Sequence, residues 1–106
     1  MYERKSGAVS VILPAKNEES TVGDVVRKVR QTLPNAEIIV VDDGSTDGTA
    51  RLAREAGAAV IIHPYSKGNG AAIKSGTRAA SGEILVFMDA DGQHKAEDIL
   101  SLLNLL

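Results

Sequence analysis

Ile84-Leu85-Val86-Phe87-Met88-Asp89-Ala90-Asp91-Gly92-Gln93-His94 is an apolar run that stops abruptly at two carboxylates held one residue apart. The run up to Met88 reads as a buried strand, so Asp89 and Asp91 stand where that strand leaves its sheet. Open α/β sheets bind ligands at such carboxyl ends. Carboxylates at i and i+2 in a turn can aim at one hard cation, with Gln93 as a third oxygen ligand two residues on. The stretch therefore predicts a divalent metal bridging a diphosphate. The competing reading is that both aspartates only cap a helix beginning near Lys95.

Working outward, the same pattern recurs. Val9-Ser10-Val11-Ile12-Leu13-Pro14 is a near-continuous apolar run closed by proline, as expected of a strand buried on both faces. After the polar turn 15–21, Val22, Val25, Val26, Val29 and Leu33 fall at helical spacing from about Ser20. Pro34-Asn35 ends that helix. Glu37-Ile38-Ile39-Val40-Val41-Asp42-Asp43 is a second strand closed by acids, with Asp42 read as capping its own turn. Gly44-Ser45-Thr46-Asp47-Gly48-Thr49 supplies a tight turn and N-cap candidates for a helix stopped at Gly57. A third strand spans 59–62, and 63–70 reads as a loop that includes His63. Small residues from Ala71 to Ala80 form a third helix able to dock closely. A fourth helix is expected from about Lys95 onward. The order βαβαβαβα implies a parallel sheet with helices on both faces. The chain segments after strands one, two and four should then converge on one rim.

Composition narrows the function. The 106 residues carry a net charge of -2 with scattered basic side chains, which gives no electrostatic footprint for nucleic acid. The chain has no cysteine, which excludes thiolate chemistry and fits a reducing, cytoplasmic setting. No apolar run is long enough to span a bilayer. Ile99, Leu100, Leu102, Leu103, Leu105 and Leu106 leave the fourth helix little polar face, so it needs cover on more than one side. The reading we adopt is a chain truncated from a longer protein, its missing half covering residues 95–106. Homo-oligomer formation through that helix is the alternative.

Four stretches resemble successive motifs of the inverting nucleotide-sugar glycosyltransferases: Pro14-Ala15-Lys16-Asn17-Glu18-Glu19, Asp42-Asp43-Gly44-Ser45-Thr46-Asp47-Gly48-Thr49, Lys67-Gly68-Asn69-Gly70-Ala71-Ala72 and Asp89-Ala90-Asp91-Gly92-Gln93-His94. The branch they most resemble is that of dolichyl-phosphate mannosyltransferases and other polyprenyl-phosphate glycosyltransferases. The resemblance implies a Rossmann-like nucleotide-diphospho-sugar transferase fold, with residues 1–106 as its N-terminal, nucleotide-binding part. It implies that Pro14, Lys16, Glu18, Val41, Asp43, Lys67, Asp89 and Ala90 contact a UDP- or GDP-sugar, Asp43 accepting from an imide N–H of the base. Asp91 and Gln93 would hold Mg²⁺ or Mn²⁺. The acceptor would be a polyprenyl phosphate, and membrane attachment would come from later segments. Lys16 stands where the family often has an aromatic residue, and Asn69 where it often has lysine, which leaves Lys67 as the loop's phosphate contact.

No catalytic base is assigned. His94 and His63 are read as structural hydrogen-bonders. Two other enzyme classes share parts of these motifs. Asp89-Ala90-Asp91-Gly92 is similar to the haloacid-dehalogenase phosphatase motif, which follows a first strand and precedes a hydroxyl residue, whereas Gln93 stands there. Gly68-x-Gly70 imitates a dinucleotide fingerprint without its last glycine. The alternative from another class is a nucleotide-binding or assembly module that catalyses nothing alone.

Overall fold

The structure is a computed structural model that describes residues 8–92. Gln93, His94 and the expected fourth helix lie outside the described residues. Strands β1 (Val9–Ala15), β2 (Glu37–Asp43), β3 (Ala59–His63) and β4 (Ile84–Phe87) alternate with helices α1 (Val22–Thr32), α2 (Thr49–Glu55) and α3 (Asn69–Ala79). All strand pairings are parallel, in the order β3-β2-β1-β4.

The central strands show no polar alternation because both faces are covered. On one face Val11, Leu13, Ile38 and Val40 meet Val22, Val25, Val26 and Val29 of α1 and Ala53 of α2. On the other, Ile12, Ile39 and Val41 meet Ala72 of α3. Four valines give α1 a modest intrinsic helix propensity, so its buried stripe holds it in place.

Small side chains let α3 lie close. Ala72 and Gly76 are its buried residues, one turn apart. A Cβ added at Gly76 would come within 2.4 Å of the Ile12 Cγ2 and 3.3 Å of the Val41 Cγ2. Among the described residues, no helix is long and apolar enough to cross a membrane.

Several boundaries differ from expectation: α1 begins at Val22 rather than near Ser20, and β4, read as buried up to Met88, ends at Phe87 and is only part-buried. Helix α3 begins at Asn69, two residues early, and His63 belongs to β3 rather than to the following loop. It pairs in register with Asp43. The residue before a proline is biased toward extended backbone, and Pro64 holds His63 there.

Candidate functional site

Strand order reverses between β1 and β4, the place where parallel sheets open a crevice. A cleft of about 470 Å³ lies there, lined by Pro14, Ala15, Lys16 and Glu18 after β1, Asp43 at the end of β2, Ser66, Gly68, Asn69 and Ala72 of the next loop and helix, and Asp89, Ala90 and Asp91 after β4. The expected convergence of acidic strand ends on one rim is met.

The loop after β1 is held by the loop after β2. Asn17 adopts a left-handed backbone (φ 52); its N–H donates to Ser45 Oγ at 2.8 Å, and its Oδ1 accepts from Thr46 N–H at 2.9 Å. Glu18 N–H donates to Thr49 Oγ1 at 2.9 Å. Glu19 N–H donates to Asp47 Oδ2 while Glu19 Oε2 accepts from Gly48 N–H. The fully buried Thr49 hydroxyl in turn donates to Asp47 Oδ1. The Ser-Thr-Asp-Gly-Thr run, expected only to turn and cap, therefore also clamps the segment that carries Lys16 and Glu18. Asp42 caps its turn as read, accepting from Ser45 N–H at 3.0 Å.

The Asp89-Ala90-Asp91 turn is tied down by Thr21. Thr21 precedes α1 in the N-cap position but makes no cap bond, and its hydroxyl donates to the Ala90 carbonyl at 2.7 Å. The nearly buried Ala90 thus anchors the turn, with an aspartate on each side in the cleft lining.

Asp43 is held at both carboxylate oxygens and at its carbonyl. Its Oδ1 accepts from His63 Nδ1 and Lys67 N–H, both at 2.8 Å, and its Oδ2 from Gly68 N–H at 2.9 Å. The Ser66 hydroxyl donates to the Asp43 carbonyl. Burial pushes the Asp43 carboxyl up, but the His63, Lys67 and Gly68 hydrogen bonds and the attraction of His63 together hold it below its usual range. Gly44, at φ +75, makes this approach possible: a Cβ there would sit 2.5 Å from Ser66 N.

Two expected contacts lie elsewhere. Val41 is fully buried beneath α3 with Ile12 and Ala72, because it shares the face of β2 that points under that helix. Lys67 is not part of the cleft lining; its Nζ lies 5.3 Å from the Tyr65 ring centroid, a cation–π arrangement. Its N–H and that of Gly68 are given to Asp43, so this loop does not present them to a pyrophosphate as a dinucleotide fingerprint would. Sequence reading missed Thr21, Thr49, Ser66 and Asn69 as contributors to the site. Gln93 lies outside the described residues. Asp89 follows the fourth described strand, not a first strand as in the phosphatase pattern.

The family model of glycosyl transferase family 2 matches residues 10–106. Polyprenol monophosphomannose synthase of Mycolicibacterium smegmatis is 41% identical over 105 residues, covering 89% of this chain and 39% of that protein. Glucosyl-3-phosphoglycerate synthase of the same species is 41% identical over 92 residues, covering 78% and 30%. The crystal structure of glucosyl-3-phosphoglycerate synthase from Mycobacterium tuberculosis with Mn²⁺, UDP-glucose and phosphoglyceric acid matches with a TM-score of 0.71 at 38% identity, covering 81% of this chain and 34% of that one. The chain thus spans about a third of the length of these relatives. With nearly every residue matched and a parallel sheet whose strand ends meet in one acidic cleft, the chain belongs to glycosyl transferase family 2.

Proposed function

We propose that this chain forms the donor-binding part of a metal-dependent transferase that moves a sugar, with inversion, from a UDP- or GDP-sugar to a polyprenyl phosphate. The observation that carries this reading is the meeting of Asp43, Asp89 and Asp91 with Pro14, Lys16 and Glu18 in one cleft. In this reading Pro14, Lys16 and Glu18 flank the nucleoside, and Asp43 accepts from a base N–H. Asp89 and Ala90 lie against ribose and diphosphate, and Asp91 holds the ion with Gln93. The absence of cysteine agrees with a cytoplasmic setting.

The donor set suits Mg²⁺ or Mn²⁺. Among the described residues no three His, Cys, Asp or Glu side chains gather as a metal cage. Mg²⁺ is commonly held by one or two carboxylates together with substrate phosphates, and the Asp89-Ala90-Asp91 turn offers that arrangement. A bound ion would supply Lewis-acid stabilisation of the departing diphosphate. As the bond from C1 to the diphosphate oxygen breaks, an acceptor phosphate oxygen bonds to C1 from the opposite side. That oxygen is already ionised and needs little help from a base. The polyprenyl acceptor is supported by the similarity to polyprenol monophosphomannose synthase over 89% of the chain.

Thermal-shift titration with UDP- and GDP-sugars, with Mn²⁺ or EDTA, tests the donor reading. One nucleotide should stabilise the chain in Mn²⁺, by about 2.7 kcal/mol at a hundred times Kd. Asp91→Asn should remove the Mn²⁺-dependent part alone; equal weakening in EDTA would count against its role. Sugar transfer to dolichyl phosphate supports the acceptor, whereas transfer only to phosphoglyceric acid replaces it. Binding with no transfer favours a non-catalytic module.

A further inference from the structure

We propose that His63, steadied by Ser75, is the positioning residue that fixes the Asp43 carboxylate for the nucleotide base. His63 Nδ1 stands 2.8 Å from Asp43 Oδ1, and Nε2 stands 2.8 Å from Ser75 Oγ. An ionised carboxylate only accepts, so Nδ1 carries a proton and donates it. In the neutral ring Nε2 then accepts from the Ser75 hydroxyl, which sets the tautomer from the far side. With Lys67 N–H also on Oδ1 and Gly68 N–H on Oδ2, both lone pairs of Oδ1 are engaged and one of Oδ2 is left. Asp43 lines the cleft, so a ligand meets an acceptor whose orientation is already set.

An aspartate, histidine and serine in this sequence of contacts also suggest a hydrolytic relay. The surroundings argue against it: His63 is 5% exposed, and neither His63 nor Ser75 lines the cleft, so the pair stands behind the Asp43 carboxylate rather than in the space open to a substrate. What the relay does instead is hold Asp43. Without His63, the carboxylate would keep two backbone donors and gain freedom to rotate, which lowers affinity for a base and leaves the diphosphate and metal contacts alone.

This inference rests on the donor reading proposed above, and the test separates the two. Uridine and guanosine, which carry no phosphate, are titrated with EDTA, and UDP and GDP with Mn²⁺. His63→Leu should weaken the nucleoside and its diphosphate by the same factor, about tenfold, the equivalent of one hydrogen bond. The gain from Mn²⁺ should be unchanged. His63→Asn, which returns a donor near Nδ1, should recover most of the loss. If His63→Leu does not fold, Ser75→Ala decides, with a few-fold loss expected and a changed tautomer population in ¹⁵N spectra of the imidazole. Wild-type binding of UDP or GDP with unaltered affinity in folded His63→Leu or Ser75→Ala overturns the positioning role and spares the donor reading. Failure of the wild type to bind either diphosphate in Mn²⁺ overturns both.

Discussion

Asp43 shows how one side chain links stability to the site. Its carboxyl is lowered from an ordinary value of 3.8, so the folded state binds its proton less readily than the unfolded chain. The resulting stabilisation is complete above about pH 5 and is lost as pH falls through the folded-state value. Urea unfolding at stepped pH should show wild type losing stability between pH 5 and 3 more steeply than Asp43→Asn. At pH 7 that variant should be weaker by about 1–3 kcal/mol, having exchanged charge-assisted bonds for neutral ones. Individual residues were legible where chemistry and position agreed. Asp42 reads as a turn cap and is one, and Asp89 and Asp91 read as a strand-end pair and line the cleft. Val41 was misplaced because an apolar run does not reveal which of its alternating faces a helix will cover. Thr21 reads only as the end of a polar turn, yet its hydroxyl goes to a carbonyl 69 residues away, which no local pattern encodes.

At the scale of elements, strands were easier to read than the joints between them. The β2 boundaries follow from its apolar run and terminal acids, and the α1 stripe from valine spacing. The joint between the loops after β1 and β2 depends on bonds between residues 28 to 31 positions apart, formed only once the two strands pair in parallel. Thr49→Val tests that joint, since it removes an acceptor from Glu18 N–H and a donor to Asp47. The expected loss is about 1–3 kcal/mol in chemical denaturation, together with weaker nucleotide binding because Lys16 and Glu18 lose their support. Gly76→Ala addresses the other layer. A methyl there meets Ile12, so α3 must move or the strand must yield, and destabilisation of about 1–3 kcal/mol is expected from the same measurement.

Across the whole molecule, the alternation of strands and helices foretold a parallel sheet whose acidic strand ends share one rim, and the described residues form one. The order β3-β2-β1-β4 was not encoded in any single segment, because neighbouring strands are chosen by tertiary packing. That order makes β1 and β2 the interior strands, and native-state hydrogen exchange should find their amides the slowest, with β3 and β4 opening sooner. Comparable protection in all four strands would contradict this ranking.

The pairing of Val9 with Ile84 has a consequence for biosynthesis. On the ribosome β1 emerges before the other three strands and finds β2 within a few dozen residues, yet its other neighbour is translated only after two more helices and a strand. The rim therefore cannot close cotranslationally until β4 emerges, and that late closure spans most of the described chain. Non-local closure of this kind slows folding. Until then the nascent chain has the groups that would receive a base, but lacks the aspartates that would meet a diphosphate.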